Sequence, residues 1–501
     1  MPGSPPPISL PTGLEPALRR MNPWWQEQPL PVLPPHHRHL VAQIRRRLDA
    51  GLAPIVAVRG PRQVGKTTSQ LQVLAAMLDE GVAPRRLMRV QIDALVALEQ
   101  LGPDPVLRLV DWYEQQILGR TLNQAAHEGE PAVLFFDEVQ NVLGWAPQLK
   151  ALVDSSTTRV VITGSSALHI AQGHDSLAGR LTTIEAGVLS LTEIAMLRGT
   201  DLGAPQLADN GLGPLTRLER WRDLESYGRS VAPLRDATFA AFSERGGYPL
   251  GHARADATWE QVAEQLSENV IRRVIRHDLR SDGTADEADA IVLEEVFRLV
   301  CRYAGQCPSP SKLAVEAGRV FGTNLPESRV VGRIRQLADA LLVRIIEPLE
   351  IRLQRKRGPA KLCLADHALR AAWLQELVPL HPAGLAARPD LATLAGHLAE
   401  STVGAVLSTI AGLGLAHLPE RGGEPEVDFV LTVGTRRIPL EVKYQAAIDP
   451  VRDTRGLVRF MDRDRDRSSF GVLVTREDVG AGLGLDPRIV ALPLSSLMLL
   501  R

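Results

Sequence analysis

The sequence predicts an α/β protein whose core is a parallel sheet flanked by helices, and three observations carry that expectation. The first is an apolar β-branched run, Ile55–Arg59, followed by Gly60-x-x-x-x-Gly65-Lys66-Thr67 and then by a stretch with helical spacing. The second is an alternation of strand-like and helix-like segments from 54 to about 195. The third is Val133-Leu-Phe-Phe-Asp137-Glu138, four apolar residues closed by two carboxylates. That order sets both acids at the carboxyl end of a buried strand, where ligands bind in such sheets.

The glycine-rich stretch is a phosphate cradle. Gly60 and Gly65 let the backbone curl so that its N–H groups face an anion. Pro61, Arg62, Gln63 and Val64 form the loop wall, and Thr68 opens the helix behind it. Lys66 places a positive charge on the β- and γ-phosphates, and the Thr67 hydroxyl can ligate Mg²⁺. A helix from Thr68 to Glu80 would offer the positive end of its dipole to the same phosphates. Asp137 would hold Mg²⁺ through water, and Glu138 would orient and deprotonate the attacking water. ATP and Mg²⁺ are therefore the expected cofactors.

The chain has 501 residues, a length that suggests about three domains. Its hydrophobic content of 45% and charged content of 23% are those of an ordinary globular protein. A net charge of −1 requires any nucleic-acid surface to be local. Cys301, Cys307 and Cys363 form no paired motif, which suggests a reducing, cytoplasmic setting and a core-filling role. No apolar run reaches membrane-spanning length, so no membrane partner is expected.

Residues 1–35 are proline-rich and read as a disordered or extended lead-in. Within them Asn22-Pro-Trp-Trp25 is unusual, because two adjacent tryptophans rarely stay exposed; they should dock on the first domain or on a neighbouring subunit. Residues 36–50 read as an amphipathic helix. The expected strands are Ile55–Arg59, Leu87–Ile92, Ala132–Phe136, Arg159–Thr163 and Thr182–Glu185, within a core spanning 36–235. Small polar residues after the fourth strand, Thr163, Ser165 and Ser166, suit a γ-phosphate sensor, with Ser165 preferred. Arg180, in Leu177-Ala-Gly-Arg180, could reach across a subunit boundary to the transferred phosphoryl group. A surface salt bridge would explain it equally well.

Residues 50–195 resemble an AAA-type (AAA+) ATPase, and Arg180 matches that family's arginine finger. The set Asn22-Pro-Trp-Trp25, Gly164-Ser-Ser166, Gly179-Arg180 with Leu189-Ser-Leu-Thr-Glu193, and Gly246-Gly-Tyr-Pro249 is similar to a large group of prokaryotic AAA ATPases. Their C-terminal domain has long been catalogued as of unknown function. The resemblance implies a ring-shaped homo-oligomer, most often a hexamer, with Arg180 acting in trans. It also implies a helical lid over 236–287, with Pro249 as a packing surface for adenine; a helix-ending turn explains Pro249 as well.

Residues 196–235 read as an insertion or loop with a short helix. Val270–Arg280 has helical spacing with arginines facing nucleotide, DNA or solvent. Residues 288–364 look winged-helix-like: three helices (Ile291–Tyr303, Ser309–Gly318, and 326 to 340), then strands Leu342–Ile346 and Lys361–Leu364 around a basic turn. From Arg329 to Lys361 there are nine basic and three acidic residues. Arg329, Arg333, Arg352, Arg355, Lys356 and Arg357 are the expected DNA contacts. Protein docking is the competing role for such a unit.

In the last domain, 365–501, Glu400 lies in an apolar helix, Asp428 opens one strand, and Glu441 and Lys443 share a face of the next. Converging carboxylates can bind a second Mg²⁺ or Mn²⁺, and a lysine beside them can position water for phosphodiester attack. The arrangement resembles the PD-(D/E)xK nuclease core, with spacing similar to archaeal Holliday-junction resolvases, although Val427 replaces the motif's proline. A cross-strand Glu–Lys pair would account for part of it. Met461–Arg467 reads as a solvated mixed-charge loop. Together these features suggest an ATP-driven motor on DNA, with branched DNA favoured. A regulatory switch ATPase holding a protein partner and an ATP-dependent DNA endonuclease remain as alternatives.

Overall fold

The computed structural model describes residues 9–95, 98–164, 176–207, 211–254, 256–278, 287–350, 358–420, 426–480 and 483–501. The chain divides into two compact units, Met1–Ala186 and Gly187–Arg501, a boundary that falls inside the segment 36–235.

The first unit is a five-stranded parallel sheet: β1 (Ile55–Arg59), β2 (Leu87–Gln91), β3 (Val133–Asp137), β4 (Arg159–Gly164) and β5 (Leu181–Glu185). The strand order is β2-β3-β4-β1-β5, with every neighbour parallel. β1, β3 and β4 are buried on both faces, as their apolar runs require, while β5 at the sheet edge is only partly buried. Its helices are α1 (Leu14–Met21), α2 (His39–Ala50), α3 (Lys66–Asp79), α4 (Pro105–Tyr113), α5 (Leu122–His127) and α6 (Trp145–Ser155). α2 turns Leu40, Val41, Ile44 and Leu48 inward at the spacing its amphipathic pattern predicted.

The N-terminal reading is corrected. Residues 14–26 are folded, because Leu14 and Leu18, one turn apart, enter the core beside Met88 and Val90. The rest of the motif seals the edge strand β2, whose outer backbone groups have no sheet neighbour. Asn22 Nδ2 donates to Arg89 O (2.8 Å), and Asn22 Oδ1 accepts from Arg89 N–H (2.6 Å). Trp24 and Trp25 both donate their indole N–H to Leu87 O, at 3.0 and 2.8 Å. Trp25 also stacks on Tyr113 at 5.9 Å.

In the second unit, the described part of 196–235 holds a longer helix than the expected insertion or loop with a short one. Leu218–Ser230 is a full helix, since Trp221, Leu224 and Gly228 recur on one buried face. The helix Ala232–Arg245 follows and ends at Gly246, whose φ of 69° no side chain adopts easily. The Gly246–Pro249 turn seats on Asp366: Gly247 N–H donates to its Oδ2 (2.5 Å) and Ala368 N–H to its Oδ1 (2.7 Å). Helical winding continues through Ser267–Arg272 and Val274–Asp278 as π-helix.

Three helices, Glu287–Arg302, Pro310–Phe321 and Glu327–Asp339, precede the antiparallel pair β6 (Val343–Ile346) and β7 (Lys361–Leu364). Ser309 caps the second helix as expected, accepting from Lys312 N–H at 3.2 Å. That helix runs on to Gly322 because Gly318 is a packing glycine, whose added Cβ would meet Thr323 O at 2.5 Å. After the helix Ala392–Ser408 comes a second sheet: β8 (Gly414–Leu418), β9 (Val427–Val433), β10 (Arg436–Lys443), β11 (Gly471–Thr475) and β12 (Ile489–Pro493). Its order is β12-β11-β10-β9-β8; β8, β9 and β10 are antiparallel, while β10, β11 and β12 are parallel. The β9–β10 hairpin closes through Gly434 at φ 59°. Met461 belongs to the helix Arg455–Arg463 rather than to a loop, because Leu457, Phe460 and Met461 form its buried stripe. Among the described residues no helix is long and apolar enough to cross a membrane.

Leu18→Ala should destabilise the first unit by about 2–5 kcal/mol, measured by denaturant unfolding, as expected for a fully buried leucine. An effect below about 0.5 kcal/mol would mean that the N-terminal helix is not part of this core.

Candidate active site

Two constellations carry chemistry, one in each unit. In the first, the loop between β1 and α3 is curled by two left-handed residues, Gln63 at φ 61° and Gly65 at φ 91°. Gly60 is obligatory for a different reason: a Cβ there would lie 2.3 Å from Ala186 O. Lys66 heads α3 and folds its ammonium into the concavity, donating to Gly60 O (2.9 Å) and Pro61 O (2.8 Å). Those are carbonyls that phosphate oxygens would replace as partners. Arg38, which the sequence reading did not single out, donates to Val64 O from outside the loop. The curled backbone, the lysine and the half-buried Thr67 beside it fit a magnesium-bound triphosphate.

Asp137 ends β3, two strands from β1, at the same end of the sheet as the loop. It is 1% exposed and held on both oxygens. Arg89 Nη2 donates to Oδ2 at 3.0 Å, and the Thr163 hydroxyl donates to Oδ1. Arg89 is itself gripped: its Nε donates to Gln70 Oε1 of α3 at 3.2 Å, and its backbone pairs with Asn22. Burial pulls the Arg89 guanidinium below its ordinary range, and the Asp137 charge works against that shift. Each carboxylate oxygen keeps a second lone pair for a water on Mg²⁺. Glu138 follows in the left-handed region at φ 54°, a conformation that is costly for glutamate and is found where function over-determines the backbone. Gln140 Nε2 donates to its carboxylate.

Lys66, Thr67, Asp137 and Glu138, expected from the sequence, lie at one end of the first sheet, and Thr163, one of the sensor candidates, reaches Asp137. Arg89 and Gln70 the sequence reading missed. An arginine and a glutamine inside otherwise apolar patterns were the available signals. Ser165 and Ser166 lie outside the described residues.

Arg180 is not part of this constellation. It immediately precedes β5, which runs parallel to β1 with Leu181 opposite Ile55. Five residues at about 3.3 Å each set it roughly 17 Å from the loop end of β1. Its guanidinium is one-third exposed and paired with Asp154 of α6 (3.0 Å to Oδ2). From that end of the sheet it cannot serve the loop of its own chain. Pro249 opens the helix Pro249–Ala253 in the second unit.

The second constellation is built on β7, β9, β10 and the helix Ala392–Ser408. Asp428 and Glu441 are buried, and Glu400 is partly so. Asp428 Oδ2 accepts from Val442 N–H at 2.9 Å, and Glu441 Oε1 accepts from Lys443 Nζ at 2.6 Å. The four expected residues therefore converge, but a fifth joins them. Lys361, 1% exposed, donates to Glu400 Oε2 at 2.8 Å and to Asp428 Oδ1 at 2.9 Å. Burial, and then the nearby Asp428 charge, push the Glu400 and Glu441 carboxyls up to about 8. Burial opposes the Asp428 charge too, yet Lys361 and the Val442 N–H outweigh it and hold that carboxyl below its usual range. A lysine opening an otherwise apolar strand was the signal for Lys361 in the sequence.

Of the expected DNA contacts, Arg329 and Arg333 both pair with Asp289 on the first helix of their segment, at 2.7 and 2.6 Å. Arg352, Arg355, Lys356 and Arg357 lie outside the described residues.

Residues 53–195 match the family described as AAA domain. No curated protein matches the chain. Among solved structures, the Walker-type ATPase PABY2304 of Pyrococcus abyssi is similar over 68% of this chain and 99% of its own, with 14% identity and a TM-score of 0.38. The Saccharomyces cerevisiae Hsp104–ADP complex is similar over 63% of this chain and 40% of its own, at 14% identity and TM-score 0.28. A closed-state reconstruction of Hsp104 with ATPγS and FITC casein is similar over 56% and 48%, at 16% identity and TM-score 0.26. The chain thus spans less than half of either Hsp104 chain. It carries an AAA-type ATPase domain on a parallel five-stranded sheet.

Lys66→Ala should abolish nucleotide binding in a fluorescent-nucleotide titration. Glu138→Gln should bind ATP normally yet hydrolyse it about 100-fold more slowly or worse. Arg89→Met should lower stability by about 3–5 kcal/mol, since it leaves a buried carboxylate without its cation. Unfolding midpoints unchanged from wild type would remove Arg89 from the support of Asp137.

Proposed function

We propose that the chain is an ATP-hydrolysing AAA+ motor that acts on DNA as a ring, with branched DNA as the preferred substrate. The observation that carries the motor half is the pre-positioned Asp137, anchored by Arg89 and Thr163 at the mouth of the phosphate loop. When bound, Mg²⁺ neutralises charge on the β- and γ-phosphates. Lys66 exchanges its loop carbonyls for phosphate oxygens. Thr67 and Asp137 would hold the ion, and Glu138 would take the proton of the attacking water. Hydrolysis is completed by Arg180 of a neighbouring chain, because this residue lies at the wrong end of the sheet to serve its own loop.

Support for DNA comes from two arrangements. Three helices followed by a two-stranded sheet over 287–364 have the element order of a winged helix. The helix Ala392–Ser408, the strands β8, β9 and β10, the helix Arg455–Arg463 and β11 have the order of a nuclease-like core. In this reading Arg352, Arg355, Lys356 and Arg357 contact phosphates. Arg329 and Arg333 contribute less, because Asp289 already neutralises part of their charge.

That same neutralisation favours a second reading, a switch ATPase whose second unit holds a protein partner. Turnover assayed with single-stranded, duplex and four-way DNA separates the two. Stimulation together with salt-sensitive binding supports the motor; neither effect supports the switch. Reversal of charge at Arg355, Lys356 and Arg357 should weaken affinity for all DNA sequences alike, and loss of sequence preference alone would contradict phosphate contact. Arg180→Ala should bind ATP as wild type does but turn it over poorly, and unchanged turnover would move the trans-acting role elsewhere.

A further inference from the structure

The nuclease-like arrangement implies a divalent metal on Asp428 and Glu441, and the residues present do not fit one. Asp428 has one oxygen on Lys361 Nζ and the other on Val442 N–H. Glu400 gives an oxygen to the same ammonium, and Glu441 gives one to Lys443. Second lone pairs remain on these oxygens, as they do on Asp137, but an ion taking them directly would stand against the Lys361 and Lys443 ammoniums, whereas Asp137 would reach its ion through water; among the described residues only Glu441 Oε2 in this set is buried without a hydrogen-bond partner.

We propose that the Lys361 ammonium is the resident cation of this centre and that it excludes a divalent ion. Lys361 cannot readily swing away. It opens β7, which pairs with β6, while Leu362 exchanges backbone hydrogen bonds with the preceding loop: Leu362 N–H to Gln306 O (2.9 Å) and Gly305 N–H to Leu362 O (2.7 Å). On its other side β7 is locked to the helix bearing Glu400. Leu364 N–H donates to Ser401 Oγ at 2.8 Å, and Gly404 lies so close that a Cβ would stand 2.4 Å from Cys363 Sγ. The ammonium also sits 4.9 Å over the Phe429 ring, whose negative face favours a cation. Charge completes the argument. Two ammoniums already stand among three carboxylates, so a divalent ion would face both of them. The centre then acts as a buried ion-pair knot that ties the segment 287–364 to the C-terminal sheet.

The inference is independent of ATP hydrolysis, and its test uses no nucleotide. Mn²⁺ binding to the full-length protein is titrated by electron paramagnetic resonance for wild type, Asp428→Asn, Lys361→Met and the double variant. Wild type and Asp428→Asn should bind Mn²⁺ alike. Lys361→Met should gain a site about tenfold tighter or more, which Asp428→Asn removes again. A wild-type Mn²⁺ site that disappears in Asp428→Asn overturns the proposal. A folded Lys361→Met protein that gains nothing overturns it as well. Should Lys361→Met fail to fold, the wild-type and Asp428→Asn titrations decide alone: identical curves uphold the proposal and a lost site refutes it.

Discussion

A single buried carboxylate organises the first unit. Asp137 stands at the end of β3 with almost no access to water, and a lone charge there would be too costly to keep. Arg89 and Thr163 make it tolerable, and through them it is linked to four elements. Arg89 belongs to β2 and Thr163 to β4; Gln70 ties Arg89 to α3, and Asn22 ties its backbone to the N-terminal segment. The phosphate loop, which precedes α3, is thereby set in register with the acid proposed to hold its magnesium. A change in β2 or in the N-terminal motif is thus a change in the active site.

What the sequence revealed and what it hid follow from how far apart the interacting residues lie. The phosphate loop and the Asp137-Glu138 pair are contiguous, and each motif contains its own geometry. Most strand positions in the first sheet were legible for the same reason, since β1, β3 and β4 are short apolar runs buried on both faces. Partnerships across long separations left no such trace. Arg89 and Asp137 are 48 residues apart, and Lys361 and Asp428 are 67 apart. Nothing local announces either pair except a charge inside an apolar run. Proline content concealed the helix at Leu14–Met21, whose two anchoring leucines carry little weight in a composition count. Glycine and charge likewise masked the Trp221–Leu224–Gly228 stripe, and alternating arginines and aspartates masked the end of the helix that holds Met461.

The second unit shows that convergence of the right residue types does not fix the chemistry. Glu400, Asp428, Glu441 and Lys443 meet as their spacing suggested, yet a lysine from another strand takes the place of an ion. A buried ammonium is permanent where a metal is exchangeable, so the arrangement suits fixed architecture better than turnover. The same economy appears at Asp366, a fully enclosed carboxylate that orders the Gly246–Pro249 turn through backbone N–H groups. Motifs that look catalytic from their residues can thus serve packing once their partners are known.

Central to the proposed function are a triphosphate held by the Gly60–Thr67 loop and a second chain that helps to split it. Its most direct test is the ATP turnover per chain of the purified full-length protein, measured across a series of protein concentrations with and without Mg²⁺. The account predicts turnover that requires Mg²⁺ and rises per chain as concentration drives assembly, because Arg180 must come from a neighbour. Absence of turnover at every concentration would contradict it.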